Sequence, residues 1–245
     1  MKQLSKESFK FMADLWANNS KAWFDENRKR YEEHVRLPMK AMVEALTEPV
    51  ATILPEFTGK PKISRINNDI RFSLNKPPYK EHIWISFIVV LSEGQFADLF
   101  VGINRNGWFV GSGIGSQKRE PLNNWRRNLI GHAGTWRRYM NQSGYAQRVE
   151  FYCENKYKKP LFDDIPADLV EIVQSRSVWI VEKSKPEFHN NPVAEFFNGL
   201  CRMLPVNLFM ITPTDYLVER LHEIGATIMP PDDYTALLWS LLEVT

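Results

Sequence analysis

Three apolar runs follow one another closely in the middle of the chain, at residues 83–91, 96–104 and 108–114. Each run is rich in β-branched and aromatic residues and is too short to favour a helix, so each is typical of a strand. Asn106 and Gly107 separate the last two runs, and Asn-Gly is a strong signal for a tight hairpin turn. The pattern predicts an antiparallel sheet in which consecutive strands are neighbours.

Helical periodicity precedes these strands. Ser5 can cap a first helix, residues 18–20 interrupt it, and a second amphipathic helix begins near Ala22. Pro38 is expected to kink this second helix or to restart it, because proline lacks the backbone N–H that a helix interior needs. The sequence therefore predicts closely joined helices ahead of the sheet.

Helices are also expected after the strands. They are predicted after Pro121, after Pro166, at 191–204 and after Pro213, with one more strand at 178–182, a stretch without a clear pattern at 145–159 and an apolar end at 236–242. Helices that flank a mostly antiparallel sheet make an α+β fold. Because no linker divides the chain, we expect one domain at 1–210 and a C-terminal helical extension packed on it at 211–245.

Composition narrows the class of protein. A chain of 245 residues with 44% hydrophobic side chains can bury a core without metals or disulfides. Cys153 and Cys201 lack the spacing of a zinc site or a disulfide framework. The chain starts without the apolar stretch of a signal peptide and contains no apolar run long enough to span a bilayer. These features predict a soluble cytoplasmic protein without a metal site.

Positive charge is concentrated between Lys60 and His82. Six Lys or Arg residues in this segment accompany Asp69 and Glu81, so six minus two leaves a surplus of four, against a net charge of +2 for the whole chain. The six are Lys60, Lys62, Arg65, Arg71, Lys76 and Lys80. We call residues 65–80 the basic strip. Such a surplus favours an anionic partner.

An extended backbone over 63–73 would sort the side chains of the basic strip onto two faces. One face would carry Arg65, Asn67, Asp69 and Arg71, and the other would carry Ile66, Ile70 and Phe72. Arginine offers forked donors that match phosphate or carboxylate, and lysine adds a point charge. We therefore expect a phosphate- or carboxylate-bearing ligand to contact Arg65, Asn67, Asp69, Arg71, Lys76, Tyr79 and Lys80, with Asp69 orienting the arginines.

Two other interpretations of the basic strip remain open. Asp69 can pair with Arg65 or Arg71 in an ion-pair network that only fixes the fold. Alternatively, the strip can dock nucleic acid or an acidic protein, assisted by arginines on the helix predicted after Pro121. Those arginines are Arg126, Arg127, Arg137 and Arg138, whose spacing would align Arg126 with Arg137 and Arg127 with Arg138 along a continuous helix.

Three glycines, Gly111, Gly113 and Gly115, follow a predicted strand and precede the Pro121 helix. Glycine-rich loops in that position can hold a phosphate on backbone N–H groups, so Gly111 and Gly113 are candidate ligand-binding residues. The spacing matches neither a Walker loop nor a full dinucleotide fingerprint. A turn, a bulge or a close approach of the backbone is the alternative explanation.

The sequence identifies neither a reaction nor a cofactor. His82 and Tyr79 are candidate proton carriers, since they lie beside the cations and can gain or lose a proton. Acidic and histidine groups at 163–164, 187–189 and 232–233 do not converge at the spacing of metal ligands, and helix caps and loops explain them. The oligomeric state and the existence of any catalytic step stay undetermined at this level.

Four segments together resemble a widespread microbial and fungal family catalogued as domain of unknown function 2461. They are Asn18-Asn19-x-x-x-Trp23-Phe24, Arg65-Ile66-Asn67-x-Asp69-x-Arg71-Phe72, Lys76-x-Pro78-Tyr79-Lys80-x-His82 and Phe109-Val110-Gly111-x-Gly113. The resemblance covers roughly residues 5–210. It implies an α+β fold and no assigned activity. In that family the positions of Asn68 and Asn75 usually hold arginine and aspartate, so two charges of the family pattern are missing here.

Overall fold

A central antiparallel sheet organises the protein. The computed structural model describes residues 3–71, 76–92, 95–116, 123–142, 145–185, 187–188 and 191–227. Within these ranges the sheet has six strands in the order β1-β2-β3-β4-β6-β5. They are β1 (Lys62–Ile63), β2 (His82–Ser92), β3 (Gln95–Asn104), β4 (Gly107–Ser116), β5 (Val149–Lys156) and β6 (Ser175–Lys185). Every neighbouring pair is antiparallel, which confirms the predicted α+β fold.

The three predicted central strands correspond to β2, β3 and β4. Asn104 pairs with Gly107, so Arg105 and Asn106 alone form the turn between β3 and β4. Gly107 has a φ of 130°, a conformation that glycine adopts without strain. The predicted hairpin is therefore confirmed. Strand β5 was not predicted, because charged residues interrupt its apolar pattern.

Helices precede and follow the strands. They are α1 (Lys6–Ala17), α2 (Lys21–Tyr31), a π-helical turn (Glu32–Arg36), α3 (Leu37–Ile53), α4 (Asn123–Gly131), α5 (Ala133–Gln142), α6 (Tyr145–Arg148), a 3-10 turn (Ala167–Leu169), α7 (Val170–Gln174), α8 (Pro192–Ile211), a second 3-10 turn (Thr214–Tyr216) and α9 (Leu217–Thr227). Ser5 and Ser20 occupy the N-cap positions of α1 and α2, and the side-chain cap predicted for the second helix is confirmed at Ser20. The Ser5 N–H donates to Ser8 Oγ at 3.1 Å, and Ser20 Oγ accepts from the Trp23 N–H at 3.3 Å.

Pro38 interrupts the hydrogen-bond ladder without ending the helix. A proline has no N–H to donate to the carbonyl four residues earlier, which here is His34 O. Ser8 Oγ donates to that carbonyl at 2.5 Å, so a side chain of α1 replaces the missing backbone donor. The π-helical turn lies at this point, as expected where a helix accommodates a local defect.

The main core lies between the sheet and α8. Trp108, Val110 and Ser112 project toward α8, where Gly199 lets the helix approach the sheet closely and Asn207 donates to Ser112 Oγ at 3.0 Å. Most of α8 is buried, and β3 and β4 supply the opposite surface. The other face of the sheet is more open, since Val90 at its margin is 73% exposed.

The predicted arginine-lined helix is wrong in two respects. The helix is interrupted at His132, so α4 and α5 are separate helices. The arginines therefore do not lie along one continuous helix. Arg126 is 0% exposed and donates to the carbonyl oxygens of Val173 and Ser175, at 2.6 and 2.5 Å. Burial lowers the pKa of its guanidinium. Arg126 therefore supports the C-terminus of α7 and does not face a partner.

The C-terminal region begins with a longer helix than expected. Helix α8 continues through Pro205 to Ile211, beyond the predicted end near residue 204. Leu217 of α9 is fully buried, and the Arg220 guanidinium binds Glu56 at 2.7 and 3.0 Å. The predicted apolar end at 236–242 lies outside the described residues. Of the helices that are described, none is long and apolar enough to cross a membrane.

Candidate functional site

The basic strip is only partly extended. Strand β1 ends at Ile63, and beyond it Asn67 makes an isolated antiparallel bridge to Tyr79. Arg65 and Asn67 are exposed while Ile66 is buried, as predicted. Ile70, however, is 47% exposed, so the prediction that it faces the core is wrong. The alternation fails because the backbone leaves the sheet after the bridge; Phe72 lies outside the described residues.

Backbone hydrogen bonds join the two ends of the basic strip. The Lys80 N–H donates to Ile66 O at 2.7 Å, and the Asn68 N–H donates to Pro78 O at 2.9 Å. The Asn68 side-chain amide donates to Pro77 O and Tyr79 O, at 2.8 and 2.9 Å. Asn68 thus joins the two ends of the strip through both its backbone and its side chain.

Tyr79 anchors the strip to the N-terminal helices. The Asn19 side chain accepts from the Tyr79 N–H at 3.0 Å and donates to Tyr79 O at 2.9 Å. The Tyr79 ring is buried and stacks on Phe24 with centroids 4.1 Å apart. The geometry gives Tyr79 a packing role, and its use as a proton carrier stays a prediction.

Lys80 lies where backbone hydrogen bonds join the two ends of the strip, and the charges of Lys76 and Arg65 act on its side chain. Lys80 Nζ lies 4.8 Å from the centre of the Trp84 ring. Burial lowers the pKa of the Lys80 ammonium, and repulsion from Lys76 and Arg65 lowers it further. No carboxylate in the described part of the chain forms an ion pair with any of these three residues. We call Arg65, Lys76 and Lys80 the cationic trio.

Asp69 and Arg71 form a separate pair. Arg71 Nε and Nη2 donate to the two oxygens of Asp69, at 2.9 and 2.6 Å. This contact lowers the pKa of Asp69, with a smaller contribution from the charge of Lys76. The side chains of Arg71 and Asp69 are 76% and 54% exposed. The Asp69–Arg71 contact that the ion-pair interpretation predicted is therefore present, as an exposed pair at the surface, and its role in fixing the fold stays a prediction.

His82 lies beside the cationic trio. Its ring centre is 5.1 Å from Trp84 and 6.3 Å from Phe109, although the residue as a whole is exposed. Packing of the ring lowers the pKa of His82, and the charge of Lys80 lowers it further. The lowered pKa favours the neutral imidazole, so His82 adds less positive charge to the trio than an ordinary histidine would.

Gly111 and Gly113 lie inside β4, so the prediction of a phosphate-binding loop at these glycines is wrong. Each glycine leaves space for an aromatic ring on a neighbouring strand. A Cβ at Gly111 would lie 2.3 Å from Phe100 Cζ, and one at Gly113 would lie 1.9 Å from Trp179 Cε3. The alternative explanation, a close approach to the backbone, accounts for both positions.

A chain of hydrogen bonds fixes the Trp84 ring from behind. Trp84 Nε1 donates to Ser86 Oγ at 2.9 Å, and Ser86 Oγ donates to Asp98 Oδ2 at 2.7 Å. Asp98 is 4% exposed, and burial raises the pKa of its carboxyl to about 7. The sequence analysis did not predict these hydrogen bonds. Two signals were present: Lys80, Trp84 and Ser86 share one face at a period of two, and Asp98 interrupts an apolar strand.

The described residues contain no group of three or more His, Cys, Asp or Glu side chains placed to hold a metal ion. In its described part the molecule is an α+β protein whose antiparallel sheet has the cationic trio beside its first strands. The family model described as "Conserved hypothetical protein (DUF2461)" matches residues 7–206, and the chain belongs to that family. No curated protein and no solved structure matches the chain.

Proposed function

We propose that this protein binds a small anionic ligand, bearing phosphate or carboxylate, at the cationic trio. The observation that carries the proposal is that Arg65 and Lys76 lie near enough to Lys80 for their charges to lower the pKa of its ammonium, while none of the three has an ion-paired carboxylate among the described residues. Gathering like charges costs free energy, and a bound anion would offset that cost. The donors differ from the predicted set because Arg71 is held by Asp69.

The three donors have different freedom of movement. Lys80 is half-buried and rests on Trp84, whose ring is held by Ser86 and Asp98, so less side-chain entropy remains for it to lose on binding. Arg65 and Lys76 are exposed and can adjust to the ligand. Arg65 offers the forked geometry that recognises phosphate or carboxylate, and His82 offers an uncharged hydrogen bond nearby.

Calorimetric titration with inorganic phosphate, pyrophosphate and citrate tests this function. Lys80→Ala and Arg65→Ala should each weaken binding of the tightest of these anions about tenfold, since each removes a charged donor. Lys40→Ala is the matched control, because Lys40 is an exposed lysine of α3 outside the trio. If none of the three anions binds, or if Lys40→Ala weakens binding equally, the proposed site is wrong.

Nucleic acid is a weaker candidate partner. Of the two basic surfaces on which that interpretation depended, the arginine helix is lost, because Arg126 is buried. The cationic trio alone could contact only a few phosphates. Titration of a single-stranded DNA oligonucleotide at two salt concentrations distinguishes the cases. A steep loss of affinity with added salt, without binding of the small anions, would favour a nucleic-acid partner.

A further inference from the structure

Strand β5 forms one edge of the sheet. It pairs with β6 on one side, and no described residue makes a backbone hydrogen bond to its other side. Beyond the strand, the Tyr157 N–H donates to Gln174 O at 2.9 Å, in the same register as the β5–β6 pairs. In an antiparallel ladder the residues that bond one neighbour alternate with those that face away. The backbone groups of Glu150, Tyr152, Glu154 and Lys156 therefore point outward.

The outward residues are charged in a self-complementary order. An antiparallel copy of β5 centred on Cys153 would place Glu150 opposite Lys156 of the second copy, and the reverse pair would form across the symmetry axis. Tyr152 would lie opposite Glu154 of the second copy. We propose that β5 is the dimerisation strand of this protein and pairs with β5 of a second copy in this register.

Neighbouring registers are unfavourable. The outward backbone groups must face each other, so the strands can shift only in steps that keep this alternation. Centring on Tyr152 would place Glu150 opposite Glu154 of the second copy, and centring on Glu154 would place two copies of Glu154 in contact. Like charges directly opposite each other destabilise a strand pair. The charges thus favour one pairing and disfavour adjacent ones.

Apolar side chains on β5 give the pairing a driving force. Phe151 is 38% exposed and Tyr152 is 49% exposed, which leaves aromatic surface on both faces of the strand. Burial of such surface is the main favourable term in association. In the proposed register Phe151 lies opposite Asn155 of the second copy, and Tyr152 lies near its Glu154.

The space beneath β5 can accommodate the second strand. A cleft of about 520 Å³ lies between β5, α5 and α7. It is lined by residues that include Trp136, Met140, Phe151, Cys153 and Ile172. Because the helices leave this volume open, the side chains of a second strand on the same face would meet a cavity instead of a packed helix.

Existing contacts of the charged residues do not prevent pairing. Lys156 Nζ binds Glu171 at 2.8 Å, and the Tyr152 hydroxyl donates to Glu150 at 2.6 Å. Both contacts are exposed, and such contacts exchange at little cost. Asn155 has a φ of 51° and is the position in β5 without a paired residue in β6, but the pairs on either side of it keep one register. Charged edge strands usually prevent aggregation, and here the same charges select a single partner.

Charge-reversal variants test the register. Sedimentation velocity over about a hundredfold range of protein concentration should show a monomer–dimer equilibrium for the wild-type chain. Lys156→Glu and Glu150→Lys should each weaken dimerisation about tenfold, since two symmetric attractive pairs become repulsive. The double variant Glu150→Lys/Lys156→Glu should restore wild-type association. Lys29→Glu, an exposed lysine of α2, serves as the control for charge alone.

Cys153 provides an independent readout, because in the proposed register it lies opposite Cys153 of the second copy. Paired residues of this kind have Cα atoms about 4.5 Å apart, close enough for a disulfide. Added diamide would oxidise two Cys153 thiols to one S–S bond and take up the two electrons and two protons. Cross-linking should be lost in Cys153→Ser. It should be slow in Tyr152→Cys/Cys153→Ser, where the new thiols do not oppose each other. Cys201 is buried and does not compete.

The outcomes separate clearly. A monomer across the whole concentration range, together with no Cys153 cross-link, overturns the proposal. A dimer that ignores the charge reversals, or that cross-links equally at positions 152 and 153, also overturns it because another surface or register is then used. Dimerisation restored by the double charge swap, with cross-linking specific to Cys153, supports it.

Discussion

Arg126 is wholly buried and Lys80 is half-buried, yet the groups around the two cations differ in kind. Arg126 is fully buried, and the backbone carbonyls of Val173 and Ser175 accept hydrogen bonds from its guanidinium. Lys80 rests on Trp84, and other cations face it. The pKa of each side chain is lowered mainly by burial. The comparison teaches that a lowered pKa does not identify a functional cation, whereas the partners around it separate a structural role from an available one.

The largest effect should come from Arg126. In Arg126→Met the carbonyls of Val173 and Ser175 lose their donors, and the free energy of unfolding should fall by about 4 kcal/mol. Urea denaturation measures this loss. Arg127→Met is the matched control, because Arg127 is exposed on the same helix, and it should leave the urea midpoint nearly unchanged. Equal losses of stability in the two variants would contradict the structural role assigned to Arg126.

Asp98 extends the comparison from buried cations to a buried acidic group. Its pKa is raised from 3.8 to about 7, so the folded state keeps a proton that the unfolded state releases. The free energy of unfolding therefore falls as pH rises from about 4 to about 7 and stays low above that. Asp98→Asn removes this penalty, and we expect it to be more stable than wild type by about 2 kcal/mol at pH 8.

The pH dependence is the decisive part of that prediction. Urea midpoints of wild type and Asp98→Asn should converge near pH 4 and separate toward pH 8. Ser86→Ala is a useful companion, because it removes the hydrogen bond to Asp98 without removing the carboxyl. A constant difference between Asp98→Asn and wild type at all pH values would show that Asp98 does not titrate as its burial suggests.

The strands and caps were predictable because they depend on local residue chemistry. The hairpin followed from Asn106 and Gly107, and the helices begin after Ser5 and Ser20 as expected. Strand β5 was missed, since an edge strand exposes charged residues and lacks a clear apolar period. Local chemistry sufficed wherever the signal lay within a few residues.

The side-chain roles were less predictable because they depend on contacts between distant segments. The sequence located Arg65, Lys76 and Lys80, but it could not show that Asp69 binds Arg71 rather than Arg65. It also placed Arg126 on the surface, since its carbonyl partners lie more than 40 residues away in the chain. Gly111 and Gly113 misled for the same reason: the rings they accommodate come from other strands.

Lys80→Met tests whether Lys80 is a cation that the fold does not need. It removes a charge that is repelled by Lys76 and Arg65 but keeps the apolar stem on Trp84. We expect the free energy of unfolding to change by less than about 1 kcal/mol, with a slight gain from lost repulsion. Thermal and urea denaturation measure it. A loss as large as that of Arg126→Met would make Lys80 a structural residue and weaken the proposed anion site.

Arg71→Ala should have the smallest effect on stability. The Asp69–Arg71 pair is exposed on both sides, so water and salt screen it, and its partners lose little when it is removed. The melting temperature should therefore match that of wild type, with and without added salt. Asp69→Ala is the companion variant, because it removes the other member of the pair, and it should leave stability equally unchanged. A large fall in melting temperature for both variants would mean that the pair fixes the strip, and the interpretation of this segment as a structural network would return.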